Sequence, residues 1–442
     1  MEIKRKFDRF TVILSDVVSP DSNVNIGGGT ERTKEIQSVL DLAVERGGLH
    51  LIVDGAYYTD TLKVHSHTTI ECVNESCGFF LKDHVTRSLI VNANCRPNGE
   101  RLDEDIHFIG GTYNFNCTKQ EHHVEVPEGT DDVSSMAEYG NTGFRIFGVK
   151  NFSLYNVVLK DQRTYALACG NAEYVNMENV RIELPNIMFA QNQDGLHFFG
   201  ESRFITLRNI CGCAGDDLIA FACDELDGVS SITDVLVDGV KMNDSDQGIR
   251  LLSHGKGMLD RVVIRNVTGT YKSYGFFINP WVNPQYKEDE RYGHIGSITI
   301  ENVDVKQQGR KYDYTRPMLF RLGGVIDTLR LFDIHFVNSD CGSDFMQIGS
   351  DYIFFEEKGN DCKTQIKNLL LKDIHIEKNE KLDTRGIVIK ESAIDNLIID
   401  GLLTDVTPIE TDGGKVKNLF VSNDYAKKID CQPEGVDNLI RR

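Results

Sequence analysis

The chain has 442 residues, 40% of them apolar, with a formal charge of −19 and a pI near 5.1. That apolar content suffices for a large core. The acidic balance argues against nucleic acid or an anionic membrane surface as a partner, because phosphate binding needs basic patches; an acidic sugar stays open, since local arginines can outvote the global field.

The N-terminal Met1-Glu2-Ile3-Lys4-Arg5-Lys6 is basic, but the apolar run from Phe10 to Leu14 is cut short by Ser15 and Asp16. It is too brief for a signal peptide, and no segment approaches the roughly 18 apolar residues of a spanning helix. The expectation is a cytoplasmic protein. The eleven cysteines are odd in number and scattered, so most read as small buried apolar residues rather than disulfides or metal ligands.

From Thr33 to Arg46 the spacing predicts a helix, with Ile36, Val39, Leu40, Ala43 and Val44 on one stripe and Gly47-Gly48 ending it. From about residue 104 onward the chain restates one phrase, a short alternating strand, an Asn or Asp, and another strand. Examples are Phe152-Ser153-Leu154-Tyr155-Asn156-Val157, Val262-Val263-Ile264-Arg265-Asn266-Val267 and Leu369-Leu370-Leu371-Lys372-Asp373-Ile374. The pivots recur roughly every 23 to 40 residues, within the range of repeat architectures, and Asn or Asp suits a left-handed bend.

A propeller would need a recurring blade signature, and the chain has a single Trp. The pattern predicts an all-β, single-stranded right-handed parallel β-helix whose coils stack about 4.8 Å apart. The short N-terminal helix would cap its open end. One domain is expected over 1–442, with 1–60 as cap and first strands, 104–425 as regular coils and 426–442 as a tail.

A second strand precedes each pivot phrase. Reading these strands as one sheet sets Asp194, Asp216, Gln247, Gly275, Met318 and Phe345 at one height, with Arg145, Asp194, His197, Asp216, Asp217, Arg250 and Arg321 facing outward. The strings Asn192-Gln193-Asp194-Gly195 and Gly215-Asp216-Asp217 place Asp216 22 positions after Asp194. That interval matches the repeat, so the carboxylates are expected on neighbouring rungs. Clustered acids with split proton affinities, flanked by bases, suit proton transfer to a sugar's glycosidic oxygen. Arg250 is either a substrate contact or a neutralising partner of the acids. His197 is either a site residue or a structural group, His254 reads as a turn residue, and Trp281 as a sugar-stacking or packing ring.

These motifs resemble glycoside hydrolase family 28, the polygalacturonase-like enzymes of the pectin-lyase-like superfold. Thr33-Lys34-Glu35-Ile36-Gln37 through Gly55-Ala56-Tyr57-Tyr58 looks like that superfold's entry helix and first strand. The family's Asn-Thr-Asp, Gly-Asp-Asp and Ser-Asp-Asn-Gly-Val-Arg-Ile-Lys strings are matched by Asn192-Gln193-Asp194, Gly215-Asp216-Asp217 and Ser245 to Leu252. The resemblance implies Asp216 as general acid, Asp194 and Asp217 as the groups that hold and deprotonate water, and Arg250 as a substrate grip; His197, Arg145, Arg321 and Trp281 are further candidate substrate contacts by their place along the expected groove.

It implies an inverting hydrolase of pectic type that needs no cofactor or metal; the lack of an export signal and the insertions around 117–140 and 279–294, long enough to close one end of the groove, point to exo action on plant-derived oligosaccharides. An oligosaccharide is the expected partner, and homo-oligomerisation is left open. Three positions depart from the family: Gln193 replaces Thr, no histidine occurs between Ala222 and Asp246, and Leu252 stands where a Lys would meet a uronate. The second departure leaves His197 or His254 to substitute, or the role unfilled. The third makes a neutral sugar as compatible as a uronate held by Arg145 or Arg321. A lyase or epimerase, and a non-catalytic carbohydrate-binding β-helix, remain alternatives.

Overall fold

Alternating burial drives the architecture. In the computed structural model, which describes residues 10–85, 87–120, 142–187, 192–253, 255–278, 293–310, 316–339, 341–349, 364–379 and 381–441, strands such as Leu49–Val53 and Thr68–Cys72 bury every second side chain. All the named strand pairs are parallel, as strands wound in successive coils must be. The chain is an all-β parallel β-helix, and it divides into two compact units, Met1–His197 and Phe198–Arg442.

In the first unit Phe10–Ile13 pairs with Leu49–Val53, which pairs in turn with Thr68–Cys72. The ladder continues through Asp103–Ile109, Phe144–Tyr155 and Leu167–Glu178. The predicted capping helix is present as Thr33–Leu40, followed by a separate turn of helix at Leu42–Arg46. Gln37 explains how it caps: its side chain donates to the Lys63 carbonyl (2.9 Å) and accepts from the Lys63 amide (2.8 Å), standing in for a strand neighbour at an exposed edge. Gly47, at φ +72°, closes the helical segment.

One member of the predicted stripe is misplaced. Ile36, Val39, Leu40 and Ala43 are buried, but Val44 is 67% exposed, because the break at Asp41 restarts the helix and turns Val44 off the inner face.

The second unit stacks longer strands, among them Ile232–Leu252, Met258–Ile278, His294–Gln307, Val325–Asn338 and Gln365–Glu377. Register carries one inward position from coil to coil, through Val235, Val262, Ile298, Leu329, Leu369 and Leu397, all buried. Each such side chain contributes about 1.5–3 kcal/mol of hydrophobic stabilisation. The pivots behave as their residue type predicts: Asn156, Asn179, Asn209, Asn266, Asn302, Asp333 and Asp373 have φ from +53° to +60°. Neighbouring pivots also bond one another, as where Asn302 Nδ2 donates to Asn266 Oδ1 at 2.6 Å.

The second sheet differs from the sequence alignment by one residue in several coils. Gln247 faces Asp217 rather than Asp216, Tyr274 rather than Gly275 lies beside Gln247 and Met318, and Asp344 rather than Phe345 follows Met318. One residue of slip reverses the face of every side chain, so Phe277, not Ile278, stands between Arg250 and Arg321. No disulfide joins the ten described cysteines; Cys72, Cys77, Cys117, Cys169 and Cys223 are buried, while Cys95, Cys211, Cys213 and Cys341 are partly accessible and Cys431 is exposed. No helix among the described residues is long and apolar enough to cross a membrane.

Candidate active site

In the first unit, Asp194 sits on the segment that enters strand Leu196–Phe199. Its carbonyl accepts the amide of Ala166 (3.0 Å), and the Gly195 carbonyl accepts that of Leu167 (3.0 Å), which fixes the turn against the preceding coil. Gln193 reinforces it: fully buried, it donates to the carbonyls of Gln162 (2.8 Å) and Asn186 (3.2 Å). The longer carboxamide thus ties down backbone. Asp194 Oδ2 lies 2.6 Å from Nδ1 of His197, and both residues are almost wholly buried. Tyr165 stacks on the His197 ring at 4.4 Å between centroids. A ring held on one side by a carboxylate and on its face by an aromatic has a set tautomer and orientation. Arg145, on strand Phe144–Tyr155, pairs in register with Ala168 and is partly exposed.

In the second unit, the acidic turn is stapled to the next coil. The Ala214 amide donates to Ser245 Oγ (3.1 Å), the Asp246 amide to the Ala214 carbonyl (3.1 Å), and the Gln247 amide to the Asp216 carbonyl (3.0 Å). Register shifts at Ser245 in strand Ile232–Leu252 accompany this staple, a local irregularity of the kind that re-aims side chains at sites. Ser273 Oγ holds Asp246 Oδ1 at 2.6 Å, so Asp246 supports the turn from the following strand.

Two adjacent carboxylates result, with oxygens within 4.8 Å of each other and unlike surroundings. Asp217 is 1% exposed and receives Nη1 of Arg250 at 3.2 Å. Asp216 is only partly buried, and Gln247 Nε2 donates to its Oδ1 at 2.6 Å. One acid therefore faces a fixed cation and the other a neutral amide.

Beside them runs the row Ala220, Arg250, Phe277, Arg321 and Gln347, paired strand to strand. The Arg250 guanidinium lies 4.6 Å from the Phe277 ring centre, and that of Arg321 lies 5.7 Å from both Phe277 and Tyr274. Cation–π contact on a shared ring keeps both charges on one face. The expectation of open, outward groups is corrected in degree: Asp194, His197, Asp217 and Arg321 are each at least nine-tenths buried, because aromatic neighbours and the adjoining coils cover them.

The structure brings His197 to Asp194 within the first unit, and Asp216, Asp217, Arg250 and Arg321 to one face of the second. His254, Trp281 and nearly all of the segments 117–140 and 279–294 lie outside the described residues. Sequence reasoning missed Gln247 as the partner of Asp216, Phe277 and Tyr274 as the ring pair under the arginines, and Tyr165 on His197. Gln247 was discoverable, since it stands inside the motif that also carries Arg250; Phe277 was hidden by the one-residue slip.

No protein-family model matches the chain, and no curated protein matches it in sequence. Solved structures match in fold. A family 28 exopolygalacturonase from Yersinia enterocolitica aligns at TM-score 0.53 and 12% identity, covering 97% of this chain and 78% of that one. A hyperthermoactive exopolygalacturonase from Thermotoga maritima aligns at TM-score 0.54 and 14% identity, with 98% and 92% covered. A tailspike protein mutant of E. coli bacteriophage HK620, in complex with a pentasaccharide, gives TM-score 0.60 at 10% identity, with 98% and 78% covered.

Proposed function

We propose that this chain is a glycoside hydrolase acting on pectic-type oligosaccharides. The observation that carries the reading is the division between Asp216 and Asp217: one carboxyl accessible and held by an amide, its neighbour buried against Arg250. Hydrolysis of a glycosidic bond needs a group that delivers a proton to the leaving oxygen and an anionic group that activates water. Asp216 takes the first role. Asp217 takes the second, a role that the motif resemblance also gives to Asp194.

Arg250 and Arg321 supply cations for an acidic sugar where Leu252 supplies none, and Arg145 and His197 complete the substrate contacts in this reading. The fold likeness to exopolygalacturonases supports the substrate class and exo action. Inversion is the outcome that the motif resemblance implies, and retention is the alternative. Proton NMR of the first-formed anomer decides between them.

The test is Asp216→Asn against wild type on a panel of pectic oligosaccharides, with products sized by chromatography. A loss of 10²–10⁴-fold in kcat is expected, and monomer or dimer release from one chain end marks exo action. Equal activity of the two proteins removes the assignment. A new ultraviolet absorbance from an unsaturated product would assign a lyase instead, and binding without turnover would assign a carbohydrate-binding protein.

A further inference from the structure

On the strands Val325–Asn338 and Gln365–Glu377, register sets His335 directly beside His375, with Asp304 at the same height one coil before. Glu377 lies two residues beyond His375, and period-two alternation returns it to the same face. The two imidazoles stack at 4.8 Å with planes 17° apart. His335 Nδ1 is 3.0 Å from Asp304 Oδ1 and its Nε2 is 3.3 Å from Glu377 Oε2. All four residues are at least partly exposed.

Both nitrogens of His335 thus face carboxylate oxygens. A neutral imidazole has one N–H and one lone pair, so when Asp304 accepts the Nδ1 hydrogen, the Nε2 lone pair is set against an anionic oxygen. Two acceptors at that distance call for a cation between them. A metal ion is such a cation, and the surrounding donors suit one. One donor atom each from His335, His375 and Glu377 all lie within 4.8 Å of one another. Four-coordinate zinc, with bonds of about 2.0–2.2 Å, places its ligands about 3.4 Å apart. The His335–Glu377 pair already has that spacing, and a His375 nitrogen lies within 4.8 Å of both donor atoms. A carboxylate behind the distal nitrogen of a ligating histidine is the usual means of fixing its tautomer, which is the place Asp304 occupies.

We propose that His335, His375 and Glu377 form a surface site for a divalent transition-metal ion of the zinc type, with Asp304 as the positioning residue behind His335. Two imidazoles and one carboxylate suit Zn²⁺ and its borderline neighbours better than Ca²⁺ or Mg²⁺, which take oxygen ligands. The ion clips strands whose histidines are 40 residues apart in sequence. The proposal is independent of the catalytic reading.

The experiment is calorimetric titration of the metal-stripped full chain with ZnCl₂, alongside His335→Ala, His375→Ala and Asp304→Asn. Wild type should bind one equivalent saturably and rise in Tm with zinc, as any ligand of the native state requires. Each histidine variant should lose at least about tenfold in affinity, and Asp304→Asn about tenfold, as expected for an outer-sphere partner. Absence of saturable binding, or equal binding by both histidine variants, overturns the proposal. Should a variant fail to fold, Co²⁺ added to wild type gives the answer: paramagnetic broadening confined to the His335 and His375 ring signals supports the site, and unchanged signals overturn it.

Discussion

Gln247 donates from Nε2 to Oδ1 of Asp216 across 2.6 Å, while its own backbone amide bonds the Asp216 carbonyl. One residue on the next coil therefore grips the candidate acid by both main chain and side chain, and directs a proton on Asp216 to the other oxygen. Gln247→Ala removes the side-chain bond and keeps the backbone one. A bond to a charged or proton-sharing group is worth about 1.5–3 kcal/mol, so kcat on a pectic oligosaccharide should fall roughly 10- to 100-fold with KM little changed. An unaltered kcat would show that the amide has no part in placing Asp216.

Arg250 is expected to serve the fold as well as the substrate. Its Nη1 meets Asp217, which is 1% exposed, so Arg250→Met removes a cation from a desolvated carboxylate. Urea denaturation should show a loss of roughly 1–3 kcal/mol. The double variant Arg250→Met/Asp217→Asn should recover part of that loss, because no buried charge is then left without this partner.

The pivots give a backbone prediction. Asn302, at φ +54°, donates to Asn266 Oδ1. Asn302→Val forces a β-branched residue into the left-handed region, which costs about 1–2 kcal/mol, and deletes the ladder bond. Asn302→Gly deletes the bond alone. The Tm of the valine variant should therefore lie well below that of the glycine variant; the opposite order would mean that the side-chain ladder, not the bend, sets the residue type.

Acid sensitivity has a defined sign. The Arg261 guanidinium hydrogen-bonded to Asp234, and that of Arg265 hydrogen-bonded to Asp238, hold both carboxyls below the usual aspartate range. A depressed folded value stabilises above the unfolded pKa of about 3.9 and loses that contribution as pH falls through the lowered folded value. Between about pH 4 and pH 2, Tm should drop less steeply for Asp234→Asn/Asp238→Asn than for wild type. Parallel curves would assign acid lability to other groups.

Thiol reactivity should follow burial. Burial pushes the Cys72 thiol up to about 12 and raises those of Cys169 and Cys223 as well, whereas Cys431 is exposed. At pH 8, iodoacetamide should modify Cys431 first and leave the other three intact until urea unfolds the chain, as peptide mass spectrometry would record. The thiolate is the nucleophile, so early labelling of Cys72 would contradict its placement.

Local chemistry was legible in the chain because it acts over a few residues. Alternation at Val262-Val263-Ile264, left-handed pivots at Asn266 and Asn302, the Gly47 terminus and the acidic strings around Asp194 and Asp216 are all fixed by neighbours in sequence. Winding placed the rest. The length of each coil varies, and side chains alternate faces, so an error of one residue decides whether Phe277 or Ile278 meets the arginines. The same dependence on distant strands explains why Val44 left its stripe after Asp41, why Gln247 rather than a nearer residue holds Asp216, and why His335 and His375 form a pair that spacing along the chain does not announce.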